Sequence, residues 1–133
     1  MPIAPDVARL PFCDVETVGR VTGRPHVVEM WFAADPEHDR VYLLSGGRDG
    51  SDWVLNLRHN PTARLRFGDE WLDATAHEIE GRPEEALARQ LLAAKYQGWS
   101  EGRPLSGWAR NSLAVALDLL GPGSAEGRAT EDR

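Results

Sequence analysis

The segment 17–26 reads TVGRVTGRPH, in which two strand-like pieces flank a glycine-rich, basic turn at 20–24. A second glycine-rich, basic loop, 45–53, follows the third apolar run and opens a short helical pattern. Glycine lets backbone N–H groups approach a phosphate closely, and arginine supplies forked, charge-assisted hydrogen bonds. A helix N-terminus adds unpaired donors and a favourable dipole. Two such loops on a small β scaffold predict a site for a phosphorylated cofactor.

The composition is that of a single globular domain. The chain has 133 residues, of which 41% are hydrophobic and 27% are charged. Its formal net charge of -6 argues against a nucleic-acid partner and against an anionic membrane surface. No apolar leader and no run long enough to span a bilayer is present, so we expect a cytoplasmic protein without a membrane span.

Cysteine and histidine offer little chemistry in this chain. Cys13 is the only cysteine, so no internal disulfide is expected. The four histidines show no pair with metal-ligand spacing, and we predict no metal site. Neither a nucleophile elbow of the GxSxG type nor a P-loop occurs, which disfavours a hydrolase and a nucleotide triphosphatase.

Alternation of apolar and polar residues predicts six strands. They are Asp14–Gly19, His26–Ala34, Arg40–Ser45, Thr62–Phe67, Glu70–Glu80 and a sixth around Leu113–Leu119. One helix is predicted over 51–59, with Ser51 as its N-cap, and a longer one from Pro83 to about Gln97. Trp31 and Trp53 are predicted to lie in the core.

The element order is therefore β-β-β-α-β-β-α-β. Short strands with tight turns favour an antiparallel sheet that closes on itself, because closure removes unpaired edges. The prediction is a small antiparallel barrel of the α+β class, with two helices covering its open parts. It forms one domain over residues 1–120, and residues 121–133, rich in glycine and charge, are predicted to form a disordered tail.

Three short motifs follow one another over residues 14–80. They are TxGRxTGRPH at 17–26, YLLSGG at 42–47 and WVLNLRxNP at 53–61. In this order and spacing they resemble the deazaflavin-dependent nitroreductase/quinone reductase family. That family belongs to the split β-barrel flavin-binding superfamily, alongside pyridoxamine phosphate oxidase-like proteins. The resemblance implies a split antiparallel β-barrel of about six strands with two flanking helices.

The resemblance also implies a cofactor and a set of residues for it. The cofactor is coenzyme F420, an 8-hydroxy-5-deazaflavin that acts as a two-electron hydride donor. The residues implied to contact its ring, phosphate and tail are Arg20, Thr22, Gly23, Arg24, His26, Ser45, Gly46, Gly47, Arg48, Trp53 and Asn56. Ser45 and Tyr96 are the candidate catalytic residues, each as a hydroxyl that donates a hydrogen bond to the acceptor.

The expected activity is transfer of hydride from the reduced deazaflavin to a small planar acceptor such as a quinone or a nitroaromatic compound. Two alternatives stay open at this point. One is an FMN-binding protein like the pyridoxamine phosphate oxidases, and the other is a non-catalytic carrier of a flavin or another small ligand. Split barrels of this kind often pair, so a homodimer is also an expectation.

Overall fold

The computed structural model describes residues 3–121 and confirms the α+β class. In this part of the chain seven strands form one sheet: β1 Cys13–Val18, β2 Pro25–Met30, β3 Ala33–Ala34, β4 Arg40–Ser45, β5 Thr62–Phe67, β6 Glu70–Glu78 and β7 Leu113–Gly121. The α-helices are α1 Pro5–Ala8, α2 Asp52–His59, α3 Glu85–Gln97 and α4 Gly107–Asn111, and a 3₁₀ turn covers Arg48–Gly50.

The counts of strands and helices correct the prediction of about six strands and two helices. The predicted strand His26–Ala34 divides at Trp31 and Phe32 into β2 and β3. The additional helices are the single turn α1 and the short α4, which begins where a loop was predicted to end. Ser106 is the N-cap of α4, because its hydroxyl accepts a hydrogen bond from the N–H of Ala109 at 3.1 Å. Residues 122–133 of the predicted tail lie outside the described residues, and Gly121 ends β7.

The division of the second strand results from the sheet topology. All neighbouring strands are antiparallel, in the order β2-β1-β5-β6-β7-β4-β3. The strands at the two edges, β2 and β3, are consecutive along the chain and are joined only by Trp31 and Phe32. Three peptide steps span at most about 11 Å, so the sheet must curl until its two edges are near each other. The result is a half-barrel whose hydrogen-bonded ladder is open between β2 and β3.

The core has two parts because the central strands are covered on both sides. Inside the curl, Val15, Leu65 and other alternate side chains pack with one another and with Trp53 and Leu57 of α2. Outside it, α3 packs Leu92 and its neighbours on the opposite faces of β4 and β7. This double cover explains why the first five residues of β7 are all buried. Burial of each large aliphatic side chain contributes roughly 1.5–3 kcal/mol.

The gap between the two sheet edges is fastened by two adjacent residues of α3. Lys95 Nζ donates to the carbonyl oxygens of Phe32 and Ala8, both at 3.0 Å, and lies 3.7 Å from the centre of the Phe32 ring. The hydroxyl of Tyr96 accepts from the N–H of Phe32 at 3.2 Å and donates to the carbonyl oxygen of Pro11 at 2.9 Å. Burial lowers the pKa of Lys95. These bonds satisfy backbone groups of Phe32 that no strand partner can reach.

A buried arginine holds α3 against α4 and β7. The Arg89 guanidinium donates to Glu85 at 2.6 and 3.0 Å and to the carbonyl oxygens of Ala109 and Ser112 at 2.9 and 2.7 Å. Glu85 also accepts from the N–H of Gly81 at 2.9 Å. The Gly81 hydrogen bond, and then the Arg89 pair, lower the pKa of Glu85. Glu85 is therefore more acidic in the folded chain than in the unfolded chain.

The Glu85 carboxylate predicts a pH-dependent contribution to stability. A carboxyl with a depressed folded pKa stabilises the fold above its unfolded pKa, about 4.3, and this contribution is lost as the pH falls through the folded pKa. We expect Glu85→Gln to lower the free energy of unfolding at neutral pH, and the difference from the parent chain to shrink on acidification. Urea titrations across the pH range measure it, with Glu101→Gln in an exposed loop as the control. A difference that is independent of pH would contradict the assignment.

Candidate functional site

A cavity of about 600 Å³ opens beside the first turn of α2. Its wall contains four aromatic side chains, two serines and one glycine. It is lined by Phe12, Val28, Glu29, Met30, Trp31, Leu44, Ser45, Gly46, Ser51, Trp53, Gln97 and Trp108. A volume of this size with mostly apolar walls is within the range of small-molecule and cofactor sites, about 300–1,000 Å³.

A second cavity of about 240 Å³ lies at the glycine-rich basic turn. It is lined by Gly19, Arg20, Val21, Thr22, His26, Asp52 and Asn56. The same face of β2 borders both cavities, because His26 lines the small one and Val28 and Met30 line the large one. The start of α2 also borders both, with Trp53 on one side and Asp52 and Asn56 on the other. The basic turn therefore lies at one end of a surface that leads to the aromatic cavity.

Asn56 attaches the basic turn to α2. Its side-chain oxygen accepts from the N–H of Arg20 at 3.1 Å and from the Arg20 guanidinium at 2.8 Å. Its amide nitrogen donates to the hydroxyl of Thr17 on β1 at 3.0 Å. Asn56 is only 2% exposed, so these bonds are made in a dry environment where an unpaired partner is costly. Its role in the structure is to hold the turn in place.

The glycines of the basic turn are required by its geometry. The N–H of Gly19 donates to the carbonyl oxygen of Arg24, and that of Gly23 donates to Gly19, both at 2.8 Å. A Cβ on Gly19 would lie 3.0 Å from the Arg24 carbonyl oxygen, and Gly23 has a φ of +77°. Both positions disfavour any side chain.

The cations of this turn differ in what they contact. Arg20 is bound by Asn56 and forms an ion pair with Asp52 at 3.1 Å. The guanidinium of Arg24 has no hydrogen bond or ion pair among residues 3–121, and the Arg24 N–H donates to the Thr22 hydroxyl at 3.2 Å. His26 is half-buried and likewise has no side-chain partner in that range. Arg24 and His26 are therefore the groups of the turn that are available to an anionic ligand.

The second loop contributes its backbone to the cavity but not its arginine. Gly46 lines the large cavity, whereas the Arg48 guanidinium donates to the carbonyl oxygen of Asn111 at 2.6 Å and to Glu80 at 2.5 Å. The hydrogen bond that Arg48 donates to Glu80 raises the pKa of Arg48. Both loops adjoin the start of α2, as a shared groove requires, but Arg20 and Arg48 contact different parts of the molecule. Within the described residues, neither Arg48 nor Arg24 is among the residues that line the two cavities.

The backbone of this loop has the alternation that forms an anion-binding concavity. Gly47 has φ -82° and ψ 0°, and Arg48 follows at φ +53°, in the left-handed region. Successive right- and left-handed residues turn neighbouring N–H groups towards one point, the arrangement called a nest. A Cβ on Gly47 would lie 2.9 Å from the Ser51 hydroxyl, so glycine is needed there.

Ser45 and Ser51, at the edge of the cavity, are hydrogen-bonded to each other. The hydroxyl oxygen of Ser45 lies 2.9 Å from the Arg48 carbonyl oxygen and 2.8 Å from the Ser51 hydroxyl. A carbonyl only accepts, so Ser45 donates to Arg48 and Ser51 donates to Ser45. Both hydroxyl protons are used, and the pair offers lone pairs to the cavity. Ser51 therefore occupies the N-cap position of α2 without capping it.

The tryptophans are divided between core and cavity. Trp53 is buried in the first turn of α2, as predicted, and one part of it lines the cavity. The prediction that Trp31 lies in the core is wrong: it is 38% exposed, stacks on Tyr96 at 4.3 Å and meets Trp108 edge-on at 5.4 Å. A signal was available, because Trp31 falls on the same alternate positions as Glu29, and that face of β2 is outward. The predicted site residues also did not include Phe12, Trp108 and Gln97.

Tyr96 is the second candidate catalytic residue, and it packs against the ring of Trp31. Its hydroxyl is bound to backbone atoms of Phe32 and Pro11, and its ring supports Trp31. Among residues 3–121 no group of three or more His, Cys, Asp or Glu side chains has the geometry of a metal site. No helix in the same range is long and apolar enough to cross a membrane.

The sequence model of the F420H(2)-dependent quinone reductase family matches residues 3–103, which are 101 of the 133 residues. The chain belongs to this family. Membership makes it a deazaflavin-dependent oxidoreductase with coenzyme F420 as its cofactor.

Solved structures share the fold. An F420-H2 dependent reductase, FDR-A, is 23% identical, with a TM-score of 0.59 over 80% of this chain and 93% of that one. HutZ, the heme storage protein from Vibrio cholerae, is 19% identical, with a TM-score of 0.63 over 90% and 91%. A third structure, described as a domain-swapped dimer, is 23% identical, with a TM-score of 0.60 over 80% and 79%. These likenesses establish the split-barrel fold.

The residues present fit this cofactor. The aromatic cavity suits a planar three-ring deazaflavin. Its wall requires glycine at Gly46, because a Cβ there would lie 3.3 Å from the Trp108 side chain. The unpaired guanidinium of Arg24 and the nest at Gly47 match the chemistry of a phosphate and of tail carboxylates. The donor set is thus cationic where the cofactor is anionic and apolar where it is aromatic.

The attachment of the basic turn to α2 can be tested without a ligand. We expect Asn56→Ala to lower the free energy of unfolding by about 1–3 kcal/mol, because Thr17 and the Arg20 N–H lose a buried partner. Amide hydrogen exchange at 19–24 should become faster than in the parent chain. Asn60→Ala, which removes only an exposed bond to the N–H of Thr62, is the control. Unchanged exchange at the turn in Asn56→Ala would show that other contacts hold it.

Proposed function

We propose that this chain binds reduced coenzyme F420 and transfers hydride from it to a small, planar, uncharged acceptor, with a quinone as the first candidate and a nitroaromatic compound as the second. The observation that carries the proposal is the aromatic cavity joined, along one face of β2, to a turn in which the Arg24 guanidinium has no hydrogen bond or ion pair among residues 3–121. The family of the chain supplies the cofactor, and this surface supplies a place for both its ring and its anionic tail.

The ring is proposed to lie against Gly46, Ser45 and Trp53. Gly46 exposes backbone at the cavity wall, and Trp53 anchors the first turn of α2 beside it. Since both hydroxyl protons of the serine pair are already donated, Ser45 accepts a hydrogen bond from a ring N–H in this arrangement. To donate to an acceptor oxygen instead, Ser45 must release the Arg48 carbonyl.

The phosphate and tail are proposed to lie along the basic turn, with Arg24, His26 and the Thr22 hydroxyl as their contacts. Gly23 keeps the turn tight, and Arg20 and Asn56 act by holding it. The Gly47 and Arg48 backbone N–H groups offer a second anion site at the start of α2, while the Arg48 side chain braces the loop from outside. The proposed roles of Arg20 and Asn56 are supported by their contacts, and those of Arg24 and His26 by the lack of a side-chain partner among residues 3–121.

The acceptor is proposed to be uncharged because the cavity offers no cation to it. Of the twelve lining residues only Glu29 is ionisable, and it is exposed. When bound, the reduced deazaflavin supplies a two-electron hydride, so that a quinone gains the hydride and a proton to become the quinol, and the cofactor leaves oxidised with loss of a proton. The protein contributes orientation and partial exclusion of water.

Titration of the purified chain with F420H2 and with FMN, followed by tryptophan fluorescence, tests the cofactor. Turnover with menadione, followed by the absorbance of the oxidised deazaflavin, tests the reaction. We expect F420H2 to bind more tightly than FMN and to be oxidised only when menadione is present. Binding without turnover would favour a carrier, and tighter binding of FMN would overturn the deazaflavin site.

Arg24→Ala isolates the proposed tail contact, because this side chain has no structural partner among residues 3–121. We expect it to weaken F420H2 binding by about 1.5–3 kcal/mol, the usual contribution of a hydrogen bond to a charged group, without lowering the melting temperature. Arg82→Ala, an exposed arginine before α3, is the matched control. Equal affinities of the two variants would remove Arg24 from the site.

A homodimer is proposed as the assembly, supported by the similar structure described as a domain-swapped dimer. The outer face of the edge strand β2 exposes Val27, at 51%, and is available to a second copy. Light scattering after gel filtration is expected to give twice the mass of one chain, and Val27→Lys is expected to shift the mass towards one chain. A monomer at all concentrations would overturn this assignment.

A further inference from the structure

Tyr96 joins the two segments that carry aromatic walls of the large cavity. Its hydroxyl donates to the carbonyl oxygen of Pro11, the residue before Phe12, and accepts from the N–H of Phe32, the residue after Trp31. Phe12 is 45% exposed and Trp31 is 38% exposed, and both line the cavity. Neither segment is in a regular strand at this point, so no ladder of backbone hydrogen bonds holds it there.

Lys95, the preceding residue, joins the same Phe32 to the end of α1. It donates to the carbonyl oxygens of Ala8 and Phe32, and its ammonium lies over the Phe32 ring. No carboxylate pairs with it among residues 3–121, so its partners there are two carbonyl oxygens and the aromatic faces of Phe32 and Tyr96. Burial of the Lys95 ammonium costs desolvation free energy. A structure that keeps a cation here despite that cost depends on the position of the backbone that the cation binds.

The orientation of Trp31 depends on these bonds. Its ring is parallel to that of Tyr96, at 5° and 4.3 Å, and perpendicular to Trp108, at 90° and 5.4 Å. One face of the indole is therefore covered by Tyr96, and its position is set by a backbone that Tyr96 itself binds. An exposed tryptophan on an unfastened crossing would sample several rotamers.

From this geometry we infer that Tyr96 and Lys95 are positioning residues, which hold Phe32 so that Trp31 forms a fixed flat wall against which a planar acceptor stacks. This inference rests on the proposed function. It assigns Tyr96 a role different from the direct hydrogen bond to the acceptor that the sequence suggested. Neither residue touches the reacting atoms, and both act through Trp31.

Tyr96→Phe separates the hydroxyl from the ring, because the ring can still stack on Trp31. We expect KM for menadione to rise about fivefold or more, as for loss of one hydrogen bond, with kcat falling less and the Kd of F420H2 changing less than twofold. Lys95→Met is expected to shift the same parameter in the same direction. Trp31→Ala should raise KM further, and Trp31→Phe should restore part of it because it keeps a flat ring.

A measurement without any ligand tests the same inference. The chain has five tryptophans, so 5-fluorotryptophan labelling gives five ¹⁹F resonances. The Trp31 signal is identified by its loss in Trp31→Phe. In Tyr96→Phe we expect this signal to shift and broaden, while that of Trp71, which lies against Arg64 and Arg66 on the outer face, stays in place. Trp71→Phe is the control for kinetics.

The outcomes separate the two proposals. If the parent chain neither binds nor oxidises F420H2, the proposed function fails, and the ¹⁹F spectra still report whether the hydroxyl holds Trp31. If the parent chain turns over menadione but Tyr96→Phe leaves both KM and the Trp31 resonance unchanged, the inference is overturned. Should Tyr96→Phe fail to fold, Lys95→Met and the Trp31 pair decide: an unchanged KM in Trp31→Ala overturns the wall itself.

Discussion

The crossing of the chain from one edge of the sheet to the other is the constraint on which the rest of the structure depends. Trp31 and Phe32 alone connect β2 to β3, so the sheet has to curl, and the backbone of Phe32 is left without a strand partner. Lys95 and Tyr96 supply those partners from α3. The half-barrel, the position of α3 and the aromatic wall of the cavity therefore have a common origin.

The arginines of the two glycine-rich loops have different roles. Both loops adjoin α2, and in both the glycines are explained by a close approach or by a left-handed backbone. Their arginines are not equivalent. Arg20 and Arg48 are neutralised by Asp52 and Glu80 and brace the loops, whereas Arg24 has no such partner among the described residues. Because its guanidinium has no partner among the described residues, Arg24 is the better candidate to bind a ligand.

The fold alone would not have assigned a function. A heme storage protein and an F420-H2 dependent reductase match this chain with similar TM-scores, so the split barrel is a scaffold for unrelated ligands. The family match over residues 3–103 assigns the cofactor class. The cavity then adds what the match does not contain: an aromatic wall, a lining without a cationic side chain and a serine pair whose hydroxyl protons are already donated.

Local sequence signals were sufficient for most strands, the tight turns and the motif order, because alternation, glycine and proline act within a few residues of themselves. They did not predict the division of the second strand at Trp31 and Phe32. The resemblance carried by the motifs, and not these local signals, implied that Ser45, Gly46, Trp53 and the basic turn contact one cofactor. The partner of each arginine and the engagement of the Tyr96 hydroxyl could not be read in this way. Arg20 meets Asn56, Arg48 meets Glu80, and Tyr96 meets Pro11 across 36, 32 and 85 positions of the chain. Contacts of such separation arise only when the sheet curls and its edges come together, and it is these contacts that distinguish a bracing side chain from one that is free to bind.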